Sequence, residues 1–295
     1  MSGSKLVIGT RGSALALKQA DITKDALRSV DPSIEVEIRV IQTQGDTNQN
    51  PIPLDTIGKG WFTKEIEIAL LGNEIDIAVH SLKDMAEEMP TGLRIGAYLS
   101  REDARDVLIT KHGESLEELP SGAVIGTDSV RRQIQMKALR PDTCMQSLRG
   151  NVPTRLEKLA MESYDAIILA AAGLKRLNLE HRITRYFEVQ EMTPAPGQGT
   201  LALQTRVNDV ALEHILTAIN NPEVAHIASI ERSFSHALGG GCKSPTGAYA
   251  WREHDTLHLL GMWVGAGTTL REEVTAPWNA SKELGEVLAQ KFLGT

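Results

Sequence analysis

Cysteine and aromatic residues are scarce in this chain of 295 residues. The two cysteines, Cys144 and Cys242, cannot build a disulfide framework or a cysteine-rich zinc site. We therefore expect a reducing compartment and no bound metal. Aromatic residues make up 4% of the sequence, which argues against a groove that stacks the bases of a nucleic acid.

Long apolar runs and a net positive charge are also missing. No apolar stretch approaches the ~20 residues of a membrane span, and the first residues lead directly into Leu6-Val7-Ile8 without the flanks of a signal peptide. The formal net charge of -7 repels nucleic acid and anionic membranes. We expect a cytoplasmic protein that binds neither, and the lack of a heptad or broad apolar surface stripe predicts a monomer.

The residues that are present indicate a globular protein with more than one domain. Hydrophobic residues account for 41% of the chain and charged residues for 23%, as in ordinary globular proteins. At ~100–200 residues per domain, the length predicts roughly two or three domains. Residues 5–10 have the pattern of a buried strand that turns through Gly12-Ser13 into an amphipathic helix, which is the start of an α/β unit.

A four-residue word occurs twice and suggests an internal repeat. Val7-Ile8-Gly9-Thr10 returns as Val124-Ile125-Gly126-Thr127, each time before a serine and an amphipathic segment. The same word at the same step of two βα cycles predicts two similar α/β lobes. Chance recurrence of a common strand ending is the alternative.

The expected domain boundaries follow from this repeat and from a change near residue 221, after which a helix is expected to precede the strands. Ligands of such α/β folds bind at the carboxyl ends of strands, so we expect a site in a cleft between lobes. Residues 45–60, rich in Asn, Pro, Asp and Gly, predict a long mobile loop that acts as a lid. The expected domains are residues 1–99 with 198–220 (α/β lobe 1), 100–197 (α/β lobe 2) and 221–295 (α+β).

Arginines occur where strands are expected to end or helices to begin. A helix N-terminus offers free N–H groups and a partial positive charge, to which an arginine adds a bidentate anion clamp. An acidic protein with arginines at such positions is expected to bind a small polyanion, although each one taken singly fits a solvated surface residue equally well. They are Arg11, Arg131, Arg132, Arg149, Arg155 and Arg176.

Arg131 and Arg132 are neighbours in a helix that is expected to begin near Ser129. Consecutive helical residues diverge by ~100° around the axis. We therefore expect that the two guanidinium groups cannot share one carboxylate and that each holds a different part of a ligand.

Two side chains are candidates for chemistry. Asp84 follows Lys83 at the end of an expected strand, where a single carboxylate among arginines would stabilise positive charge on a ligand. A helix cap or turn former is the alternative for this Asp. Cys242 follows three glycines and precedes Lys243, so its thiol is expected to be exposed and to favour the nucleophilic thiolate.

Two other reactive residue types are expected to be structural. His80, at the end of a buried strand, is interpreted as a packed or hydrogen-bonded core histidine. Cys144, which enters another expected strand, is interpreted as a buried, inert thiol.

A series of short blocks, in order, resembles the hydroxymethylbilane synthase family, also called the porphobilinogen deaminase family, over essentially the whole chain. Several such blocks in family order make coincidence negligible. The blocks are residues 9–16 (GTRGSALA), 58–62 (GKGWF), 78–84 (AVHSLKD), 101–106 (REDARD), 129–133 (SVRRQ), 148–152 (LRGNV), 171–177 (AAGLKRL), 197–199 (GQG) and 239–242 (GGGC).

The resemblance implies a fold and an activity. The fold has two lobes like those of type II periplasmic binding proteins, with a cleft, and a small C-terminal α+β domain. The activity joins four porphobilinogen molecules, with release of ammonia, into the linear tetrapyrrole hydroxymethylbilane. Growth starts on a dipyrromethane cofactor held covalently by the protein. This is a step of porphyrin and heme biosynthesis, and the product passes to uroporphyrinogen-III synthase.

The resemblance also implies a role for each matching residue. Asp84 is the catalytic carboxylate, and Lys59 and Phe62 belong to the lid. The cofactor is held by Cys242 through a thioether and by Ser81, Lys83, Thr127, Ser129, Arg131 and Arg132. The substrate and growing chain are bound by Arg11, Ser13, Gln19, Arg149, Arg155, Arg176 and Gln198.

One of the departures from the family pattern lies directly before the block of residues 129–133. The family usually shows Thr-Ser-Ser before its arginine pair, whereas this chain has Thr127-Asp128-Ser129. An acidic residue in a turn that receives carboxylates predicts a weaker grip on the cofactor. The main rival interpretation is a two-lobed carboxylate-binding transport protein without chemistry, against which the glycine-flanked Cys242 argues. A nucleic-acid module is a weaker third.

Overall fold

The computed structural model describes residues 5–47, 61–239, 245–265 and 267–294. Contacts between Cα atoms divide the chain into two units, Met1–Arg101 with Thr200–His226 and Glu102–Gly199 with Ile227–Thr295. The three-domain boundaries stay a prediction. Within the described ranges, no helix has the length and apolar character needed to cross a membrane.

The described residues form strands and helices that alternate along most of the chain. The strands are β1 (Lys5–Thr10), β2 (Glu35–Val40), β3 (Ile77–Ser81), β4 (Leu93–Tyr98), β5 (Asp106–Thr110), β6 (Val124–Gly126), β7 (Cys144–Gln146), β8 (Ala166–Ala170), β9 (Arg185–Tyr186), β10 (Leu201–Arg206), β11 (Gly247–Glu253), β12 (Thr256–Gly265) and β13 (Thr268–Pro277). The α-helices are α1 (Ala14–Val30), α2 (Gln44–Thr47), α3 (Lys64–Leu71), α4 (Val130–Leu139), α5 (Val152–Met161), α6 (Ala171–Arg176), α7 (Val210–Ile219), α8 (Pro222–Ala237) and α9 (Leu284–Leu293).

The first unit is built on a mixed five-stranded sheet with the order β2-β1-β3-β10-β4. Strand β1 runs parallel to β2 and β3, and β10 runs antiparallel to its neighbours β3 and β4. The expected helix after β1 is confirmed as α1, and Ser13 caps it by accepting a hydrogen bond from Ala16 N at 3.2 Å. Its apolar face, which includes Leu27, packs on Ile8 and Ile77 of the sheet.

The second unit contains a mixed five-stranded sheet with the corresponding order β7-β6-β8-β5-β9. In both sheets the Val-Ile-Gly of the recurring sequence lies in the second strand, which is parallel to both neighbours. Val7 N donates to Asp76 Oδ2 at 2.8 Å and Val124 N donates to Asp165 Oδ2 at 2.7 Å, and each aspartate N–H returns a bond to the same valine. The recurring word therefore marks equivalent strands.

The C-terminal elements form an antiparallel sheet, β11-β12-β13, covered by helices. Phe234 of α8 and Phe292 of α9 meet edge to face, with ring centroids 5.6 Å apart, over Leu259 of the sheet. Two α/β sheets and a separate antiparallel sheet with helices confirm the expected fold class.

Cys144 corrects one expectation, because its side chain is exposed rather than buried. It lies on β7, a three-residue strand at the edge of the second sheet. Side chains alternate along a strand, and here Met145 faces the core while Cys144 and Gln146 face outward. So short a strand has no periodicity from which its inner face could be read.

Candidate active site

Asp84 lies in a tight turn at the carboxyl end of β3. Leu82–Asp84 form a single 3-10 turn, which Met85 N closes by donating to Leu82 O at 3.1 Å. Leu82 and Met85 are buried and anchor the turn, whereas Lys83 and Asp84 are half-buried. The turn thus places a cation and a carboxylate side by side at one edge of the first sheet.

Several residues expected to bind substrate lie at the same edge, since β1 and β3 are parallel neighbours. Gln19 is buried and donates from Nε2 to Ser81 Oγ at 2.9 Å. Arg11 follows β1 and lies over the ring of Phe62, with its guanidinium carbon 4.2 Å from the ring centroid. A Cβ added to Gly45 would come within 2.2 Å of the Phe62 ring, so this packing requires glycine there.

His80 is confirmed as a core histidine. Its Nε2 lies 3.1 Å from Gln204 Oε1 of β10, and the ring is buried. Burial lowers the pKa of His80 to about 4, and the nearby charge of Arg11 acts in the same direction, while the Gln204 hydrogen bond opposes them. His80 is therefore neutral near pH 7 and serves to join β3 to β10.

Arg131 and Arg132 converge on one buried carboxylate, that of Asp106. The Nη2 atoms of Arg131 and Arg132 lie 2.7 Å from Asp106 Oδ2 and Oδ1, respectively, and the Asp106 side chain is 0% exposed. Burial by itself raises the pKa of Asp106, but the charges of the two arginines outweigh it and hold the pKa well below its ordinary range. Asp106 is therefore a permanently charged anchor.

The expectation that these two arginines cannot share a carboxylate is therefore wrong. Their Cα positions diverge around α4 as expected, but both lie in its first turn and their long side chains bend back to the start of β5. Arg131 also donates to Thr193 O at 2.5 Å and Arg132 to Ile168 O at 3.1 Å. The arginine side chain is long and flexible, so two arginines can reach the same carboxylate even though their Cα–Cβ bonds point in different directions.

Gln198 also binds Asp106, and Arg176 binds the backbone of Gly199, the residue after Gln198. Gln198 donates from Nε2 to Asp106 Oδ1 at 2.9 Å and to Ala104 O at 2.6 Å. Arg176 donates to Gly199 O at 2.6 Å, and burial lowers its pKa to about 10, so it stays protonated near neutral pH. Arg176 lies at the end of α6 and not at a helix start, which corrects its expected position.

Thr127 and Ser129 shape the start of α4. Thr127 is buried and its Oγ1 accepts from Ser129 N at 3.2 Å. Ser129 is the N-cap of the helix, as expected, and accepts from Arg132 N at 3.4 Å. Their hydroxyls thus border the N-terminus of α4, where backbone N–H groups favour anions.

Arg149 and Arg155 lie together in the loop and first turns that follow β7. Arg149 Nε lies 2.7 Å from Asp128 Oδ2, and Arg155 Nε donates to Gly150 O at 2.8 Å. Gly150 has φ of 119°, in the region that favours glycine. This loop therefore fixes both arginines beside the start of α5.

Asp106 is the residue that sequence reasoning missed. It appeared only as the last letter of a family block, yet it opens the apolar strand β5 (DVLIT), all of which is buried. A charged residue within a buried strand must be paired with an opposite charge, so the position of Asp106 in the sequence predicts a cationic partner. It would have indicated that some of the arginines have a structural partner.

Two expected site residues, Cys242 and Lys59, lie outside the described residues. Lys83 and Asp84 belong to the first unit, and Thr127, Ser129, Arg131 and Arg132 to the second. Among the residues that the structure describes, no group of three His, Cys, Asp or Glu side chains could hold a metal ion.

Comparison with known families matches two models that together span most of the chain. Residues 6–214 match the model described as porphobilinogen deaminase, dipyromethane cofactor binding domain, and residues 225–294 match porphobilinogen deaminase, C-terminal domain. The porphobilinogen deaminase of Thermus thermophilus is 45% identical over 291 residues, covering 98% of this chain and 95% of the relative. That of Fusobacterium nucleatum is 44% identical over 289 residues, covering 97% of each.

The fold and these residues define an α/β protein with arginine-bearing loops and a candidate catalytic carboxylate at a strand end. The chain belongs to the porphobilinogen deaminase family, and the dipyrromethane cofactor is a property of the matched domain. Among solved structures, a YaeC-family lipoprotein from Enterococcus faecalis is similar with a TM-score of 0.45 and 12% identity, covering 77% of this chain and 96% of the other.

Proposed function

We propose that this chain acts as a hydroxymethylbilane synthase, which joins four porphobilinogen molecules and releases ammonia at each addition. The observation that carries the proposal is the Lys83-Asp84 turn at the carboxyl end of β3, within a chain of this family. It supplies a half-buried carboxylate where substrate residues Arg11, Ser13 and Gln19 also lie.

The residues available to the dipyrromethane cofactor suit a group with carboxylate side chains. Two guanidinium groups share one carboxylate at Asp106, which leaves the cluster of Arg131, Arg132 and Asp106 with a surplus positive charge. Each guanidinium has five N–H donors, and Asp106 together with one backbone oxygen (Thr193 O for Arg131, Ile168 O for Arg132) engages only part of them. Thr127 and Ser129 add hydroxyls at the start of α4, and Cys242 would supply the thioether. Ser81 and Lys83 are further candidate ligands of the cofactor.

When bound, the cofactor supplies the pyrrole carbon from which the chain grows. The protein's own part is electrostatic. As the aminomethyl C–N bond of porphobilinogen breaks and ammonia leaves, positive charge develops on the pyrrole, and the Asp84 carboxylate stabilises it. When the new C–C bond has formed, Asp84 accepts the proton that the attacking pyrrole carbon must lose.

The arginines outside the Asp106 cluster bind the acetate and propionate groups of the substrate and growing chain. Arg11, Arg149, Arg155 and Arg176 belong to this set, with Gln19 and Gln198 as neutral donors. Arginine suits the task because its planar fork matches a carboxylate. Lys59 and Phe62 act at the lid, and Phe62 already packs on Arg11.

We further propose that the protein works in the cytoplasm as a monomer and passes its product to uroporphyrinogen-III synthase. Support comes from the sequence pattern and from the family. Gel filtration with light scattering tests the oligomeric state.

Intact mass tests the proposed function. The purified protein should carry a covalent adduct equal to two linked pyrroles, and the Cys242→Ser variant should lack it. Porphobilinogen should be consumed with one ammonia released per molecule. A wild-type protein without adduct that consumes no porphobilinogen would overturn the proposal and favour a carboxylate-binding protein.

A further inference from the structure

Asp128 occupies the place where the family pattern has serine, and it forms an ion pair with Arg149. Its Oδ2 lies 2.7 Å from Arg149 Nε, and its Oδ1 accepts a hydrogen bond from Ser147 Oγ. Asp128 comes from the loop after β6 and Arg149 from the loop after β7. Because β6 and β7 are parallel neighbours, both loops lie at the carboxyl edge of the second sheet.

This ion pair differs in kind from the Asp106 cluster. The Asp128 and Arg149 side chains are 30% and 35% exposed, whereas Asp106 is 0% exposed and its arginines nearly so. Ion pairs that stay in contact with water are weaker than buried ones, because water screens them and competes for both partners. A carboxylate that arrives from solution can therefore replace Asp128 on Arg149, whereas Asp106 stays where it is.

We propose that Asp128 is an internal competitor of the substrate: its carboxylate holds Arg149 until an acetate or propionate group of porphobilinogen displaces it. This inference rests on the proposed function, which assigns Arg149 to the substrate. Substrate binds only to molecules in which the Asp128–Arg149 ion pair is broken. The apparent dissociation constant therefore equals the intrinsic one divided by the fraction of such molecules. The pair is already broken when substrate is bound, so the chemical step is unaffected.

The test compares KM and kcat in Asp128→Ser, which restores the family residue, and in Asp128→Asn, which keeps the shape but removes the charge. The strength of exposed pairs predicts a KM lower by about two- to fivefold in both variants, with kcat within about twofold of wild type. Calorimetry with a pyrrole that has the acetate and propionate groups but no aminomethyl group should show the same gain in affinity without turnover.

Asp142→Asn is the matched control, because it removes an exposed carboxylate that pairs with Arg140 Nε at 2.9 Å in the same unit. It should leave KM, kcat and pyrrole binding unchanged. An unchanged or raised KM in both Asp128 variants would overturn the inference, and a raised KM would show that Asp128 positions Arg149 for substrate. Wild-type protein that makes no hydroxymethylbilane would instead refute the proposed function.

Discussion

Three aspartates in this chain show how surroundings decide what a carboxylate does. Asp84 is half-buried in a strand-end turn, Asp106 is fully buried between two arginines, and Asp128 pairs with Arg149 near the surface. The first is the proposed catalytic group, the second stabilises the fold, and the third is the proposed competitor of the substrate. All three are the same letter in the sequence.

Replacing Asp84 separates its chemical role from its role in the turn. Asp84→Ala should fold, because Leu82 and Met85 anchor the turn, but should lose nearly all tetrapyrrole synthesis since the developing cation has no counter-charge. Asp84→Glu should retain more activity. The measurement is the rate of hydroxymethylbilane formation, and a rate for the Ala variant within a few-fold of wild type would contradict the role.

Asp106→Asn should destabilise the protein strongly, because it leaves two buried guanidinium groups without a counter-charge. Breaking a buried ion pair from one side costs on the order of 3–5 kcal/mol in free energy of unfolding. Urea unfolding at neutral pH measures it. Asp142→Asn, which breaks an exposed pair, should leave the midpoint almost unchanged. Equal midpoints for both variants would show that Asp106 is not the anchor described.

At the scale of elements, the local pattern predicts individual strands and helices but not the distant segments with which they pair. The strand over residues 5–10 and the helix after Ser13 follow from periodicity and capping, and they are confirmed. Short elements are harder to predict because they have too few residues for a periodic pattern, as the exposed Cys144 and the position of Arg176 at the end of α6 show. The convergence of Arg131 and Arg132 on Asp106 depends on a fold that brings residues 106 and 132 together, which no local pattern contains.

The burial of His80 on β3 predicts a pH dependence of stability. The pKa of His80 is about 4 in the folded chain and ~6.5 when unfolded, so protons bind the unfolded chain first as pH falls. Stability is therefore full above about pH 6.5 and declines toward pH 4. Between pH 7 and pH 5 the wild type should lose roughly 2 kcal/mol more unfolding free energy than His80→Gln, whose amide can still donate to Gln204.

Urea titrations of both proteins at pH 7, 6 and 5 give this difference directly. The comparison cancels the contributions of the other histidines and of the acidic groups. Parallel stability curves for the two proteins would show that His80 titrates normally in the folded state.

At the scale of the whole molecule, loss of a cofactor arginine (Arg131 or Arg132) and loss of a substrate arginine such as Arg149 should impair different steps. Arg131→Leu or Arg132→Leu should weaken capture of the cofactor by about one to two orders of magnitude, at roughly 1.5–3 kcal/mol for a charge-assisted hydrogen bond. These variants should purify largely without adduct and melt at lower temperature, since a bound cofactor no longer stabilises them. The remaining arginine still pairs with Asp106, so the fold should survive.

Arg149→Leu should instead keep the adduct and stall elongation. Intact mass of the three variants side by side distinguishes the groups. A full adduct in Arg131→Leu and Arg132→Leu would show that the cofactor arginines have been assigned wrongly.

The family and its chemistry could be predicted from the sequence because they reside in short contiguous blocks. The fold class could be predicted because the α/β alternation is periodic. The arrangement of charges could not, because Asp106, Arg132 and Gln198 meet through side chains from three separate segments. Such networks become visible only when the sheet order is known.

The place of β10 in the first sheet has a consequence for the protein as it leaves the ribosome. Residues Leu201–Arg206 insert between β3 and β4, which end at Ser81 and Tyr98. At ~5–20 residues per second, a nascent chain waits roughly 5–20 s between completing β4 and receiving its partner strand. During that interval the first sheet lacks the strand that joins β3 to β4, and the unpaired edges of β3 and β4 are open to mispairing. The second α/β sheet uses only β5 to β9, so of the two α/β sheets the one that is begun first is completed last.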